Sequence, residues 1–443
     1  METTHQNNPV ILALDIGTTK VVALVGRRDA FGKIEVLGTG LANSEGVLRG
    51  EVSNIEKTVR AIGEAASTAI RHAGLPVQTV YTGIAGQHIK SFEKKGILTR
   101  SDPHTEISTA DIEKLIRDMY LLPLEAGDRI LHVIPQDYIV DHQQGIKDPI
   151  GMSGVRLEGN FHIITCQAEA ANNIKRAVEK ADLQLRGLML ESLASAESVL
   201  TEEEKEGGVA MVDIGGGTTD IAVYHEGILR HTAVIPFGGN VVTHDIKEGC
   251  FIMSHYAEKA KVKYGSALSD EIFVDRIITI PSLKGRPPKE ISERNLALII
   301  QARMEEILDY VMWEISRSGY EKKLIGGLVL TGGGALLNHL DKLVEYHTGM
   351  SCRIGKPVEL LGQGYSEKLA NPIYSTAIGL LEKGLREEAA LQQQAHDHAP
   401  NVGATTQSDD AEGRTSSRNT KSWLEEVLRR TREWFESEPD VDF

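Results

Sequence analysis

The stretch Ile11-Leu-Ala-Leu-Asp15-Ile-Gly17-Thr18-Thr19-Lys20 recurs in altered form as Val209-Ala-Met-Val-Asp213-Ile-Gly215-Gly216-Gly217-Thr218-Thr219-Asp220. In each copy an apolar run reads as a buried strand. It meets Asp, Ile and Gly, then hydroxyl side chains, then a second strand-like run. Such a strand–turn–strand needs glycine in its tight turn. With no side chain in the way, backbone N–H groups can point at an anion. The Asp at the strand end stands where a hydrated Mg²⁺ would need a carboxylate, and the Thr hydroxyls and Lys20 can donate to phosphate oxygens. One such loop is a common glycine turn. Two, in equivalent places of two halves of a chain, predict two similar α/β lobes with a nucleotide between them.

A third glycine turn supports this. Leu328-Val-Leu330-Thr331-Gly332-Gly333-Gly334-Ala335 reads as a strand feeding a turn and a helix N-terminus, a geometry that favours negative charge. Its spacing is not GxGxxG, which rejects a dinucleotide fold.

Between these loops the pattern alternates strands and helices. Ser53 with Glu56 forms a capping-box pattern that opens a helix to about His72, stopped by Gly74 and Pro76. Lys90 to Cys166 has a different texture: one helix at Thr109 to Tyr120 among several β-like runs. It reads as an inserted small α/β subdomain. From Asn240 to Gly319 the chain reads as mostly helical, broken by a turn segment at Pro281 to Pro288, and Pro372 to Leu381 as a final core helix. Glu387 to Thr420 has no aromatic and few large apolar residues; it cannot offset its ordering entropy and reads as a flexible linker.

Composition sets outer limits. The 443 residues are 41% hydrophobic and 25% charged, as in soluble globular chains. The net charge of −15 argues against a broad nucleic-acid surface. Three separated cysteines without CxxC spacing argue against a disulfide scaffold or structural zinc and fit a reducing cytosol. The polar N-terminus is not a signal peptide, and no run of apolar residues is long enough to span a bilayer. No HExxH or GxSxG pattern is present.

The three glycine motifs resemble the phosphate-1, phosphate-2 and adenosine motifs of the actin/hexokinase/chaperone ATPase superfamily. More narrowly, the chain resembles the FtsA family of bacterial actin-like cell-division proteins. The likeness covers about residues 9–385 plus the terminal helix. It rests on Asp15 to Lys20, Gly151-Met-Ser-Gly-Val155, Val212 to Asp220, Val234-Ile-Pro-Phe-Gly-Gly-Asn240, Gly285-Arg-Pro-Pro288, Leu330 to Ala335 and Tyr374-Ser-Thr-Ala-Ile-Gly379.

The resemblance implies a two-lobed actin-like ATPase fold of α/β class with an FtsA-type 1C subdomain, a flexible linker and a C-terminal amphipathic helix. It divides the chain into subdomain 1A (9–89, 167–206 and the helix 372–386), 1C (90–166), 2A (207–242 and 321–371), 2B (243–320), the linker (387–420) and a membrane-targeting helix (421–437). ATP and Mg²⁺ are expected between the lobes. Asp15 and Asp213 would hold the metal through water. Gly17, Thr18, Thr19 and Lys20 would take one side of the phosphates; Gly215, Gly216, Gly217, Thr218 and Thr219 the other. Glu258, Lys261, Gly332, Gly333 and Gly334 would line the adenosine side, although Glu258 and Lys261 also read as a solvated helix pair. Glu191 is the candidate acid that orients an attacking water, or else a charged residue at a strand end. Any ATPase activity is expected to be weak or slow. Expected partners are the C-terminal peptide of the tubulin-like FtsZ, received by 2B, further copies of this chain in protofilaments, later divisome proteins and anionic lipids. Arg294 and Arg303 are candidates for the acidic peptide and Arg286 for self-association. The expected place is the cytoplasmic face of the cell inner membrane, at the division septum.

The residues from Ser422 onward carry their own signal. Ser422 with Glu425 is a capping box, and Trp423, Leu424, Val427, Leu428, Trp434 and Phe435 fall within an arc of about 140° at 100° per residue. Arg430 and Arg432 flank the arc, where they can snorkel to headgroups. Too short to span, the helix would lie in the interface and bind well only in many copies. The alternative is docking on its own globular body. Glu436, Glu438, Asp440 and Asp442 follow the helix, unlike the usual end of the family. They would oppose an anionic leaflet by roughly 1 kcal/mol each on approach. Two other functions share the fold: a PilM-like pilus-assembly ATP-binding protein, which lacks such a helix, and a sugar or small-acid kinase, which needs a substrate pocket with a carboxylate base beside the cleft.

Overall fold

The computed structural model describes residues 8–102 and 104–397. In chain order it begins with strands β1 (Ile11–Ile16), β2 (Lys20–Arg28) and β3 (Ile34–Asn43). A two-residue ladder of β4 (Val47–Leu48) and β5 (Glu51–Val52) follows, then helix α1 (Ile55–Ala73) and β6 (Thr79–Ile84). An insertion contributes β7 (Lys90–Thr99), α2 (Thr109–Tyr120), β8 (Asp128–Val140), β9 (Gln143–Ile146) and β10 (Arg156–Gln167). The first lobe resumes with α3 (Ala168–Glu179), β11 (Gln184–Leu190) and α4 (Glu191–Val199). The second lobe holds α5 (Glu202–Gly207), β12 (Val209–Ile214), β13 (Thr219–His225), β14 (Ile228–Ile235), α6 (Gly239–Cys250), α7 (Ser254–Tyr264), β15 (Ile277–Ile280), β16 (Lys289–Ser292), α8 (Glu293–Arg317), β17 (Leu328–Thr331), α9 (Leu340–Thr348) and β18 (Cys352–Ile354). Helix α10 (Ser375–Asp397) returns to the first lobe.

The duplication read in the loops extends to whole sheets. The first lobe's sheet runs β11-β6-β1-β2-β3 and the second lobe's runs β18-β17-β12-β13-β14. In both, the strand before the glycine loop pairs antiparallel with its successor and parallel with a strand that arrives later in the chain. β1 and β12 are buried along their whole length. That is why both read as unbroken apolar runs rather than alternating ones: each is covered on both faces. In the first lobe, α1 and α3 cover one face of the sheet, and α10 the other. In the second, the sheet and helices α6 to α9 share one core. The insertion has a separate sheet, β7-β10-β8-β9, with α2 packed on it around Leu115, Leu157 and Phe161.

Several local expectations need correction. Asn54, not Ser53, caps α1: its side chain accepts the Lys57 N–H at 3.0 Å, while Ser53 Oγ donates to the Gly46 carbonyl. Both residues can cap, and the neighbouring turn takes Ser53 first. The segment around Pro281 to Pro288 joins the hairpin strands β15 and β16. The Gly332–Gly334 turn does not open a long helix. It leads into one 3₁₀ turn, Gly334–Leu336, and α9 begins only after His339, whose φ of 60° interrupts the helical path. α10 runs on to Asp397, into what reads as linker. The buried Leu385 and the bonds of Glu388 to Tyr81 and Arg186 anchor it. Once nucleated, a stretch rich in Ala, Gln and Leu continues cheaply as helix. The rest of the linker and the amphipathic helix at 421–437 lie outside the described residues.

Candidate functional site

The two glycine hairpins meet tip to tip. The first closes at Ile16↔Val21 and the second at Ile214↔Thr219, so Gly17 to Lys20 and Gly215 to Thr218 are equivalent turns. Thr18 and Thr19 therefore match Gly216 and Gly217, not Thr218 and Thr219. A Cβ on Gly216 would lie 2.4 Å from Thr19 Cγ2, and one on Gly217 would lie 2.5 Å from Thr18 Oγ1. Side chains on one turn thus require their absence on the other. The first turn is braced by the Gly50 N–H, which donates to Thr18 Oγ1 at 3.1 Å. The second is braced by Gly239 and Asn240 at the start of α6, whose N–H groups donate to the carbonyls of Gly215 and Gly216. The third glycine turn closes the site's edge. Gly332 has φ +81°, and a Cβ there would lie 2.1 Å from Asp213 Oδ1.

Where the hairpins meet, Asp15, Lys20, Glu191, Asp213 and Asp220 line one cavity with Gly17, Thr18, Thr19, Gly215, Gly216, Gly217, Thr218, Gly332 and Gly333. Ser195 Oγ donates to Asp213 Oδ2 at 2.6 Å and Thr376 Oγ1 donates to the same oxygen at 3.2 Å. These hydroxyls come from α4 and α10, beside the two points where the chain crosses between lobes. Glu191, the first residue of α4, reaches this cavity from the end of β11.

The electrostatics are dominated by burial of like charges. Burial pushes the Asp15 carboxyl up to about 6; Asp213 adds to the rise and Lys20 opposes it. Burial, then Asp213, raises Asp220 to about 8. Glu191 is pushed well above the usual carboxylate range by burial and then by Asp15, Asp220 and Asp213. Asp213 is raised by burial as well, against the bonds from Ser195 and Thr376 and the charge of Lys20. A buried carboxylate cluster with one lysine beside it is short of positive charge. Asp220 Oδ1 is buried without a hydrogen-bond partner. Both observations suit a cation carried in with a ligand. Among the described residues no set of three His, Cys, Asp or Glu groups could hold a metal ion directly.

A second cavity of about 200 Å³ shares Thr19, Lys20, Gly215, Gly216 and Gly333 with the first and continues into the second lobe. Glu258, Lys261, Gly334, Leu337, Asn338 and Met304 line it. Lys261 Nζ lies 2.7 Å from Glu258 Oε2 and also donates to Thr243 Oγ1 and the Gly239 carbonyl. Glu258 and Lys261 are therefore part of a cavity wall rather than a solvated helix pair. Its mixed lining suits a flat heteroaromatic group with a polar edge.

Not every sequence candidate joins the site. Thr219 is fully buried in β13 and donates to the Phe237 carbonyl, away from both cavities. Asp220, Ser195 and Thr376 were missed. Asp220 stood in the quoted motif, and its cross-strand pairing with Asp213 was the available signal; nothing local marks the two hydroxyls. Outside the cleft, Arg286 is exposed in the β15–β16 turn and Arg294 exposed at the start of α8. Arg303 is engaged by Asp245 and Glu306 of its own chain. Nine residues apart at about 100° each, Arg294 and Arg303 stand on opposite sides of α8 and cannot grip one peptide together. Trp423, Leu424, Val427, Leu428, Arg430, Arg432, Trp434 and Phe435 lie outside the described residues.

Comparison with known proteins places this geometry in a family. The family model described as "Cell division protein FtsA" matches residues 210–379, and that of the "SHS2 domain inserted in FTSA" matches residues 86–165. The cell division protein FtsA of Pseudomonas aeruginosa is 44% identical over 384 residues, covering 87% of this chain and 91% of that protein. FtsA of Neisseria meningitidis is 39% identical over 422 residues, covering 95% of this chain and 99% of that protein. Among solved structures, a PilM–PilN type IV pilus biogenesis complex matches at TM-score 0.60 and 15% identity, covering 85% of this chain and 98% of that one. MreB5 of Spiroplasma citri bound to ADP matches at TM-score 0.52 and 15% identity, covering 86% and 98%. At such identity these two establish the actin-like ATPase fold alone.

Proposed function

The chain belongs to the FtsA family of cell division proteins, and from that premise we propose that it binds ATP with Mg²⁺ between its lobes, assembles with copies of itself and tethers FtsZ filaments to the inner face of the cytoplasmic membrane at the septum. The observation that carries the nucleotide reading is the meeting of the two glycine hairpins over a carboxylate cluster, with the second cavity leading off it. Lys20 and the backbone of both turns bind the triphosphate. Asp15 and Asp213 would hold a hydrated Mg²⁺, which when bound neutralises phosphate charge. Glu258 and Lys261 hold the adenosine. Glu191, whose carboxyl burial and its acidic neighbours push upward, becomes a better proton acceptor for a water if cations offset those neighbours. A nucleotide held in so buried a site would act mainly as a conformational ligand, with slow turnover.

The outer end of the second lobe supports the FtsZ part of the reading. Phe273, Val274, Ile277 and Leu298 are exposed there beside Arg294, and Lys289 lies over the ring of Phe251. Apolar side chains rimmed by cations fit a short peptide with mixed apolar and acidic residues. No helix among the described residues is long and apolar enough to cross a membrane; the apolar arc of Trp423 to Phe435 in the sequence supports attachment there. The test is co-sedimentation with vesicles containing anionic lipid, in the presence of ATP and Mg²⁺. The full chain should pellet and bring FtsZ with it; a chain truncated after residue 420 should stay in solution. Equal pelleting of both refutes the tether, and vesicles that bind the full chain but not FtsZ refute the partner.

A further inference from the structure

The inserted subdomain touches the first lobe at one position next to the cleft. Among the described residues β11 is an edge strand of its sheet, paired with β6. Its last residue, Leu190, precedes the first turn of α4, where backbone N–H groups have no partner within the helix. The Leu190 N–H is taken by the insertion: it donates to His132 Nε2, on β8, at 3.0 Å. Burial, reinforced by the nearby charge of Lys383, holds the His132 imidazole down at about 3, so it stays neutral and its Nε2 remains an acceptor. The next residue is Glu191. Its side chain lies over Gly83, where a Cβ would come within 2.6 Å of Glu191 Cγ, and passes from there into the carboxylate cluster.

The insertion also reaches the second lobe. Lys147 Nζ donates to the Glu226 carbonyl at 3.0 Å, Ser91 Oγ donates to the Thr232 carbonyl at 3.4 Å, His162 Nε2 lies 3.4 Å from Thr232 Oγ1, and Arg230 reaches Gln136 at 3.5 Å. Against the first lobe it is held by buried apolar side chains, Leu131, Ile164 and Cys166, that join that lobe's core. Among these contacts, the bond from His132 is the one made beside Glu191.

We propose that His132 is a positioning residue for Glu191: by holding the β11–α4 junction, the inserted subdomain sets where the Glu191 carboxyl stands in the cleft. The proposal rests on the reading of Glu191 as the hydrolytic acid. His132 lines neither cavity, so its loss should alter turnover and leave binding alone. In the full chain, His132→Leu keeps the bulk and removes the acceptor; His132→Gln keeps an acceptor of similar reach. Steady-state ATP hydrolysis with Mg²⁺, ATP affinity by calorimetry and the same assays on Glu191→Gln decide the matter. His132→Leu should lower kcat about tenfold or more, the scale of a misplaced reacting group, with KM and affinity within about twofold. Retained affinity shows that the variant is folded. His132→Gln should restore most of the rate, and Glu191→Gln should lose about a hundredfold or more. If Glu191→Gln is impaired while His132→Leu is not, or if both His132 variants fall alike, or if KM rises in step with the loss of rate, the positioning role is overturned and the Glu191 reading stands. If Glu191→Gln turns over normally, or the unsubstituted chain hydrolyses no ATP, both are overturned.

Discussion

Asp220→Asn should make the empty chain more stable, although it removes a residue of the nucleotide cleft. The carboxyl of Asp220 goes from an ordinary 3.8 in the unfolded chain to about 8 in the folded one, driven up by burial and then by Asp213. A raised carboxyl means that the folded state binds more protons than the unfolded state. Stability is then undiminished below the unfolded value and falls as pH rises toward the folded value. At about pH 7 the gap is roughly three pH units, or about 4 kcal/mol at 1.36 kcal/mol per unit. Relaxation of the site and water entering from the cleft reduce this, so about 2 kcal/mol is expected from asparagine, which keeps the shape and loses the charge. For a chain of this size that is a rise of a few degrees in Tm. The assay is thermal unfolding with a chelator and no nucleotide, across about pH 5 to 8. The gain should be smaller at the acid end and grow with pH, because about pH 5 lies only about one unit above the unfolded value of 3.8, against about three units at pH 7. It should shrink or reverse with ATP and Mg²⁺ present, since the native carboxylate then has a cation to face. An Asp220→Asn chain no more stable than the unsubstituted one at about pH 8, or equally stabilised at both ends of the range, would refute the picture of a cluster short of positive charge.

Gly217→Val should abolish ATP binding, by at least a hundredfold in affinity, with little change in Tm in the empty chain. Its Cβ would come within 2.5 Å of Thr18 Oγ1, so the turns could not meet, while the clash is confined to the two turn tips; calorimetry and thermal unfolding on one preparation check this, and wild-type affinity would sink it. Lys261→Met should weaken ATP by about tenfold, near 1.4 kcal/mol, because Glu258 then faces the cavity without its 2.7 Å partner; an unchanged dissociation constant would remove Lys261 from the nucleotide site.

Much of this architecture was legible because of the repeat. Asp15-Ile-Gly17 and Asp213-Ile-Gly215 each follow a strand buried on both faces, and that pairing alone predicts two lobes related by duplication. The register of the turns was not legible. By eye, Thr18-Thr19 matches Thr218-Thr219; cross-strand pairing instead sets Thr18 and Thr19 against the glycines of the other turn and turns Thr219 into the core. That reassignment also brings Asp220 into the site, a residue for which the first hairpin has Val22. The same limit applies to caps: Ser53 and Asn54 both satisfy the pattern, and only the neighbouring Gly46 carbonyl decides between them.

The sequence by itself determined the strands, the glycine turns between them, the inserted texture from Lys90 to Cys166 and the family, because each depends on residues close in the chain. Tertiary structure decided how those parts act on one another. Ser195 and Thr376 come from helices far apart in sequence, yet both bind one oxygen of Asp213. His132 comes from the insertion and takes the N–H beside Glu191. The raised carboxyls have the same origin. An aspartate's charge is written in the chain, but what that charge costs depends on how much water and how many like charges folding leaves around it.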